Sequence, residues 1–160
     1  MMRASKAMAV VRVAVGIMFL FFAEYKLASP AFAHGGYAKY VGNFVETSAV
    51  SFYKPFLLLT LQHPVVSGYG VAVAELLIGL AMVLGYRVRI FSVVGALFMF
   101  NLLLCTWNAP GPGAYWRYLG NEIDNLSMFF LFVLFFVHRA GDVWGLDGRR
   151  PQKATAAKRA

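Results

Sequence analysis

The chain has 160 residues, of which 60% are hydrophobic, 16% aromatic and only 14% charged, with a mean hydropathy of +0.64. Soluble domains are typically ~45–50% apolar and ~25% charged, so this composition excludes an ordinary soluble fold and points to an integral membrane protein. The net charge of +8 resembles a nucleic-acid footprint in magnitude, yet the basic residues occupy loops and the tail, where they set topology. The expected partner is therefore the lipid bilayer and not nucleic acid.

In chain order, Met1–Lys6 is a short basic head and Met8–Ala28 is a first apolar span, interrupted by Arg12, Glu24 and Lys26. A cleaved signal peptide is the competing reading, with Ala31-Phe32-Ala33 as the cleavage site. Glu24 and Lys26 would give it a long, charged c-region, which favours the span. Ser29–Pro64 is too polar to cross but rich in aromatics. Tyr37, Tyr40, Val41, Phe44 and Val45 recur at helical spacing, as in an amphipathic helix at the interface. Phe56–Leu61 is too short to span and reads as re-entrant or surface-lying; the segment is either an aromatic anchor or a lid over a cavity.

Val65–Tyr86 is the second span, and it turns through Arg87-Val88-Arg89 into the third, Ile90–Trp107. Asn108–Gly113 breaks the chain, Tyr115, Trp116 and Tyr118 form an interfacial cluster, and a fourth span runs from about Glu122 to Val137. The predicted fold is all-α: a four-transmembrane-helix bundle with an amphipathic interfacial or re-entrant segment between the first and second spans. Residues 1–140 form the membrane domain and 141–160 a basic cytoplasmic tail, whose Lys-, Arg- and Ala-rich end reads as disordered. Eleven of the fifteen Lys and Arg residues fall in the head, at Arg12, in the 87–89 turn, at Arg139 and in the tail. The positive-inside rule then puts both termini of the multi-pass protein in the cytoplasm. The expected location, which rests on the resemblance described below and not on charge, is a bacterial or archaeal cytoplasmic membrane.

The costliest residue is Glu75, near the middle of the second span. An acid at that depth costs at least ~2.5–3.5 kcal/mol on insertion scales. Gly68, Ala72 and Gly79 share its helical face, so it faces protein, because small residues let a neighbouring helix approach. At about 1.5 Å per residue, Glu75 and Asn101 both lie ~18 Å above the cytoplasmic turn, and Glu24 reaches a similar level. Glu122, Asp124 and Asn125 begin the fourth span on the outer side. A polar cluster in the outer half of the bundle follows.

Glu75 is then a proton-handling or ligand-binding acid, or it makes a structural hydrogen bond to Asn101 or the backbone. Lys26 either snorkels to the interface or pairs with Glu24 or Glu75. Asn121, three residues before Asp124, reads as a helix N-cap. Cys105 is read as packing, and as a lone cysteine it excludes an intrachain disulfide, a CxxC pair and an iron–sulfur cluster held by this chain alone. His34, His63 and His138 do not sit at matching depth on facing helices, which argues against haem. His34 and His63 of the outer loop region could meet at a metal, but lone loop histidines seldom do and no helix carries metal-ligand spacing, so no metal is expected.

The stretches FFAEYKLASP (Phe21–Pro30), ELLIGLAMVLGYRVR (Glu75–Arg89) and GALFM (Gly95–Met99) resemble the DoxX/DoxD family over roughly Val10–Arg139. Lys26 and Leu27 match its G-x-x-K-L pattern, with Ala23 in place of the glycine. Glu75, Gly79, Leu84, Gly85 and Arg89 match its E-x-x-x-G…L-G-x-x-x-R pattern. The long aromatic segment after the first span looks closer to the DoxD branch, which includes the small subunit of thiosulfate:quinone oxidoreductase. The resemblance implies a quinone-linked oxidoreductase subunit, in thiosulfate or other sulfur-compound oxidation, that works with other subunits of a membrane complex. Glu75 and Lys26 would be its catalytic residues, and Glu24, Asn101, Glu122, Asp124, Asn125 and Arg89 would surround the quinone. A non-catalytic anchor or assembly subunit, or a small-solute permease gated by Glu75, are the alternative functions.

Overall fold

The computed structural model describes residues 5–108 and 115–149, with the side chains of 115–121 left aside. Apart from an isolated antiparallel bridge between Ser48 and Asn108, the regular structure of the described residues is helical. In order, the α-helices are α1 (Lys6–Ala28), α2 (Tyr37–Thr47), α3 (Lys54–Leu61), α4 (Pro64–Leu84), α5 (Val88–Thr106) and α6 (Tyr115–Val137). A π-helical turn, Phe32–Gly36, precedes α2. Helices α1, α4 and α5, of 23, 21 and 19 residues, are long and apolar enough to cross a bilayer. Their boundaries fall within about two residues of the first three predicted spans, and the protein is a multi-pass membrane protein.

Local signals set the helix ends. The Ser5 hydroxyl accepts the Met8 N–H at 3.2 Å and caps α1. Pro64 opens α4, and Gly85 closes it in the left-handed conformation at φ 64°. Helix α6 starts at Tyr115, so Asn121 lies inside it and is not the predicted N-cap. The proline–glycine break ends before Tyr115, and no strong breaker separates it from Asn121.

The helices pack as two close pairs, α1 with α4 and α5 with α6. Glycines permit both contacts: a Cβ on Gly16 would lie 2.8 Å from Met82 Cβ, and one on Gly95 would lie 2.4 Å from the Phe132 ring. Val15, Phe19, Ile78, Met82, Met99, Phe132 and Phe135 fill the space between the pairs. Helix α2 turns Tyr37 and Val41 toward Leu57 of α3 and Cys105 of α5. Its apolar stripe thus covers the bundle, while Tyr40 stays exposed.

One end is closed by a clasp that was not expected. Arg12 is fully buried, and its guanidinium donates to the carbonyl oxygens of Ala140 (2.7 Å), Val143 (3.3 Å) and Trp144 (3.1 Å). The Asp147 carboxylate accepts the N–H groups of Arg87 and Val88 at 2.8 and 2.7 Å, capping α5. Residues 141–149 therefore fold back onto the bundle; the Lys-, Arg- and Ala-rich end of the tail, from 150 onward, lies outside the described residues.

Replacing Arg12 with Leu leaves those carbonyls without their donor and should cost on the order of 3 kcal/mol. Asp147→Ala should cost about 1 kcal/mol. Unfolding of the detergent-solubilised protein checks both, and an unchanged midpoint for Arg12→Leu would show that the clasp contributes no stability.

Candidate functional site

Antiparallel packing of α1 on α4 builds the site. Leu20 lies against Gly79, where an added Cβ would come within 2.8 Å, and Ala33 lies against Gly68 at 3.0 Å. Between these two contacts the same register brings Lys26 to Glu75. Lys26 Nζ donates to Glu75 Oε1 at 2.5 Å, with side-chain exposures of 17% and 5%. The ammonium also sits 5.1 Å from the centroid of the Phe32 ring, a favourable cation–π approach. Glu75 Oε2 is buried with no hydrogen-bond partner among the described residues.

Two chambers meet at this pair. The larger, about 630 Å³, lies between α1, α2, α3, α4 and α5, with Phe22, Tyr25, Phe44, Phe56, Asn101 and Cys105 among its walls. Its rim includes exposed aromatics, with Phe21 at 68% and Tyr25 at 64% exposure. The smaller, about 450 Å³, lies between α1, α4, α5 and α6 and holds Glu75, Asp124, Asn125 and Ser127 among apolar side chains. Phe22, Lys26, Phe98 and Leu102 line both. Lys26 therefore faces each chamber, whereas Glu75 lines the smaller one.

Other polar groups are partnered nearby. The Tyr53 hydroxyl donates to Asn101 Oδ1. Glu75 takes its one side-chain hydrogen bond from Lys26, with Oε2 unpartnered among the described residues, so the structural bond from Asn101 considered for it is not made. Burial, with Cys105 and Tyr37 adding to it, pushes the Tyr53 phenol up to about 12. Thr106 Oγ1 lies 2.6 Å from Glu122 Oε2 and accepts from Asn125 Nδ2 at 3.2 Å. Glu122 is only 2% exposed.

Of the expected site residues, Glu75 and Lys26 are thus in contact, Asp124 and Asn125 share the chamber of Glu75, and Asn101 lines the other. Glu122 sits behind Asn125 through Thr106. Glu24 is exposed and lines neither chamber, because two residues along a helix from Lys26 is a rotation of about 200°. Arg89 lies in the first turn of α5 with its guanidinium 4.7 Å from the Phe136 ring centroid, away from both chambers. Tyr53 and Thr106 went unassigned in the sequence reading. Counting helical depth from the 87–89 turn would have placed Thr106 opposite the start of the fourth span.

The fold and the site define a multi-pass helical membrane protein with an acid–base pair buried beside apolar chambers. The family model described as DoxX matches residues 7–107, and the chain belongs to the DoxX family. No curated protein and no solved structure matches it.

Removing one partner of a buried ion pair typically costs ~3–5 kcal/mol, whereas replacing both is often neutral. Lys26→Met and Glu75→Gln should each destabilise the protein, and the double variant should recover most of the loss. A double-mutant cycle by unfolding in detergent measures this, and additive losses would mean that the two side chains are not coupled.

Proposed function

We propose that the protein is a quinone-binding membrane subunit of an oxidoreductase, with the Lys26–Glu75 pair at the quinone head. The observation that carries this reading is the pair itself, at the junction of two apolar chambers with Glu75 Oε2 left unpartnered. Small-molecule sites are apolar cavities with a few placed polar groups. A quinone ring offers carbonyl oxygens that accept, and its reduced form offers hydroxyls that donate. Lys26 has donors beyond the one given to Glu75, and Glu75 has a free acceptor, so the residues present fit the group in both forms.

When bound, a quinone supplies two-electron, two-proton carbonyl–hydroxyl chemistry. The protein's part is to hold and move protons. Lys26, which lines both chambers, orients a carbonyl oxygen. Glu75 Oε2, on the side of the smaller chamber, accepts a hydroxyl proton where the head reaches the junction of the two. The aromatic walls of the larger chamber hold the rest of the ligand and exclude water. Exposed Phe21 and Tyr25 at the rim of the larger chamber suit a ligand that arrives from lipid. In this reading the electrons come from another subunit of the same complex. In this reading α6 is the fourth span, and α2 and α3 lie at the outer interface as a cover over the larger chamber. Both termini are cytoplasmic.

Binding of a short-tailed quinone analogue to the protein in lipid nanodiscs, followed by tryptophan fluorescence, tests the proposal. The Lys26→Met/Glu75→Gln double variant should bind at least about tenfold more weakly, a change of roughly 1.4 kcal/mol, at unchanged helicity. Wild-type affinity in the folded double variant would overturn it.

A further inference from the structure

The polar groups of the larger chamber are one-sided. Its described walls carry the Lys26 ammonium and the Asn101 amide but no carboxylate, since Glu75 lines the smaller chamber. Thr60, another polar wall residue, gives its hydroxyl hydrogen to Leu57 O at 2.8 Å. On α5, Asn101 comes three residues after Phe98 and one before Leu102, and both of those line the two chambers. Residues three apart are neighbours on a helix surface. Asn101 therefore stands beside the junction that Lys26 also lines, on the side of the larger chamber.

The amide is held in one orientation. From the connection between α2 and α3 the Tyr53 hydroxyl donates to Asn101 Oδ1. Tyr53 does not line the chamber itself, and its ring lies 5.1 Å from that of Phe56, a wall residue, by centroids. An asparagine side chain offers one acceptor oxygen and one donor NH2 group. With the oxygen engaged by the phenol, the group left for the chamber is Nδ2. The buried side-chain atoms without a partner among the described residues are Arg12 Nε, Glu75 Oε2 and Ser92 Oγ. Nδ2 is neither one of these nor bonded to another described residue, so it remains open to a ligand.

We propose that Asn101, oriented by Tyr53, is a second ligand-binding group and that it selects the oxidised, dicarbonyl form of the quinone over the dihydroxy form. This rests on the quinone reading above and adds a second contact to it: Lys26 meets one ring oxygen at the junction, and Asn101 Nδ2 meets the other. At the first contact, Lys26 serves a carbonyl and Glu75 serves a hydroxyl, so that end is indifferent to the oxidation state. At the second, a carbonyl oxygen is satisfied by Nδ2 alone. A hydroxyl oxygen would also accept from Nδ2, but its own hydrogen then meets an Oδ1 already engaged by Tyr53. Asn101 touches the ligand; Tyr53 is a positioning residue. The bias favours uptake of the oxidised form and release of the reduced one.

Three short-tailed compounds test this in lipid nanodiscs: a benzoquinone, its dihydroxy form kept reduced without oxygen, and a ring analogue with a single carbonyl. Asn101→Leu should weaken the benzoquinone by about tenfold and the one-carbonyl analogue, whose oxygen goes to Lys26, by less than about twofold. Tyr53→Phe keeps Asn101 but frees the amide to turn, and should narrow the preference for the quinone over its dihydroxy form by roughly fivefold. Mere loosening of the α2–α3 cover would weaken all three compounds together and leave their ratios unchanged. Equal losses for the one- and two-carbonyl compounds in Asn101→Leu, or an unchanged preference in Tyr53→Phe, overturn this inference alone. Failure of the wild type to bind any of the three overturns the quinone reading and this inference with it.

Discussion

Everything in the bundle is arranged around one contact, the ion pair between Lys26 and Glu75. Neither charge is tolerable alone among apolar helices, since an isolated ion there costs several kcal/mol even after relaxation. Their meeting requires α1 and α4 to run antiparallel in close contact, and that closeness is written as small residues: Gly16, Ala23, Gly68, Ala72 and Gly79 are all buried along the two helices. The pair is therefore both a constraint on the fold and a chemical resource. It neutralises the charges while leaving one carboxylate oxygen and spare ammonium hydrogens for something else to use.

The two ends of the bundle are held differently. At one end, Arg12 and Asp147 draw residues 140–147 onto the α4–α5 turn through hydrogen bonds to the backbone. At the other, Ser48 donates to Leu104 O and Ala49 donates its N–H to Trp107 O, tying the α2–α3 connection to the end of α5. Between the ends the two helix pairs meet through aromatic edges, with Phe19 at 5.4 Å from Phe132 and 6.1 Å from Phe98 by ring centroids. Edge-on rings pack well locally but do not fill the whole cleft. The chambers lie where the rings stop.

Much of this was legible in the sequence, for a physical reason. Bilayer thickness sets the length of an apolar helix, so α1, α4 and α5 could be bounded from composition alone. Counting residues from the 87–89 turn placed Glu75 and Asn101 at one level, and pairing with Glu75 was one of the roles open to Lys26. Depth, however, says nothing about azimuth. Glu24 lies near the right level and on the wrong face, and Asn101 is matched in depth to Glu75 yet bonded to Tyr53. Arg12 read as a topogenic charge because its acceptors are backbone carbonyls 128 to 132 residues away in irregular structure, which leave no periodic trace. The early start of α6 was hidden by aromatic residues that look interfacial and are also compatible with helix.

The most direct test uses a prenylated quinone carrying a photoreactive azide, irradiated with the protein in lipid nanodiscs and located by peptide mass spectrometry. Label should concentrate on the chamber walls, in α1 around Phe22 and Lys26 and in α5 around Phe98 and Leu102. It should fall sharply when Lys26 and Glu75 are replaced together. Label spread instead over outward-facing residues such as Val66 and Leu97, which are 73% and 62% exposed, and indifferent to that replacement, would contradict a quinone site built on the pair.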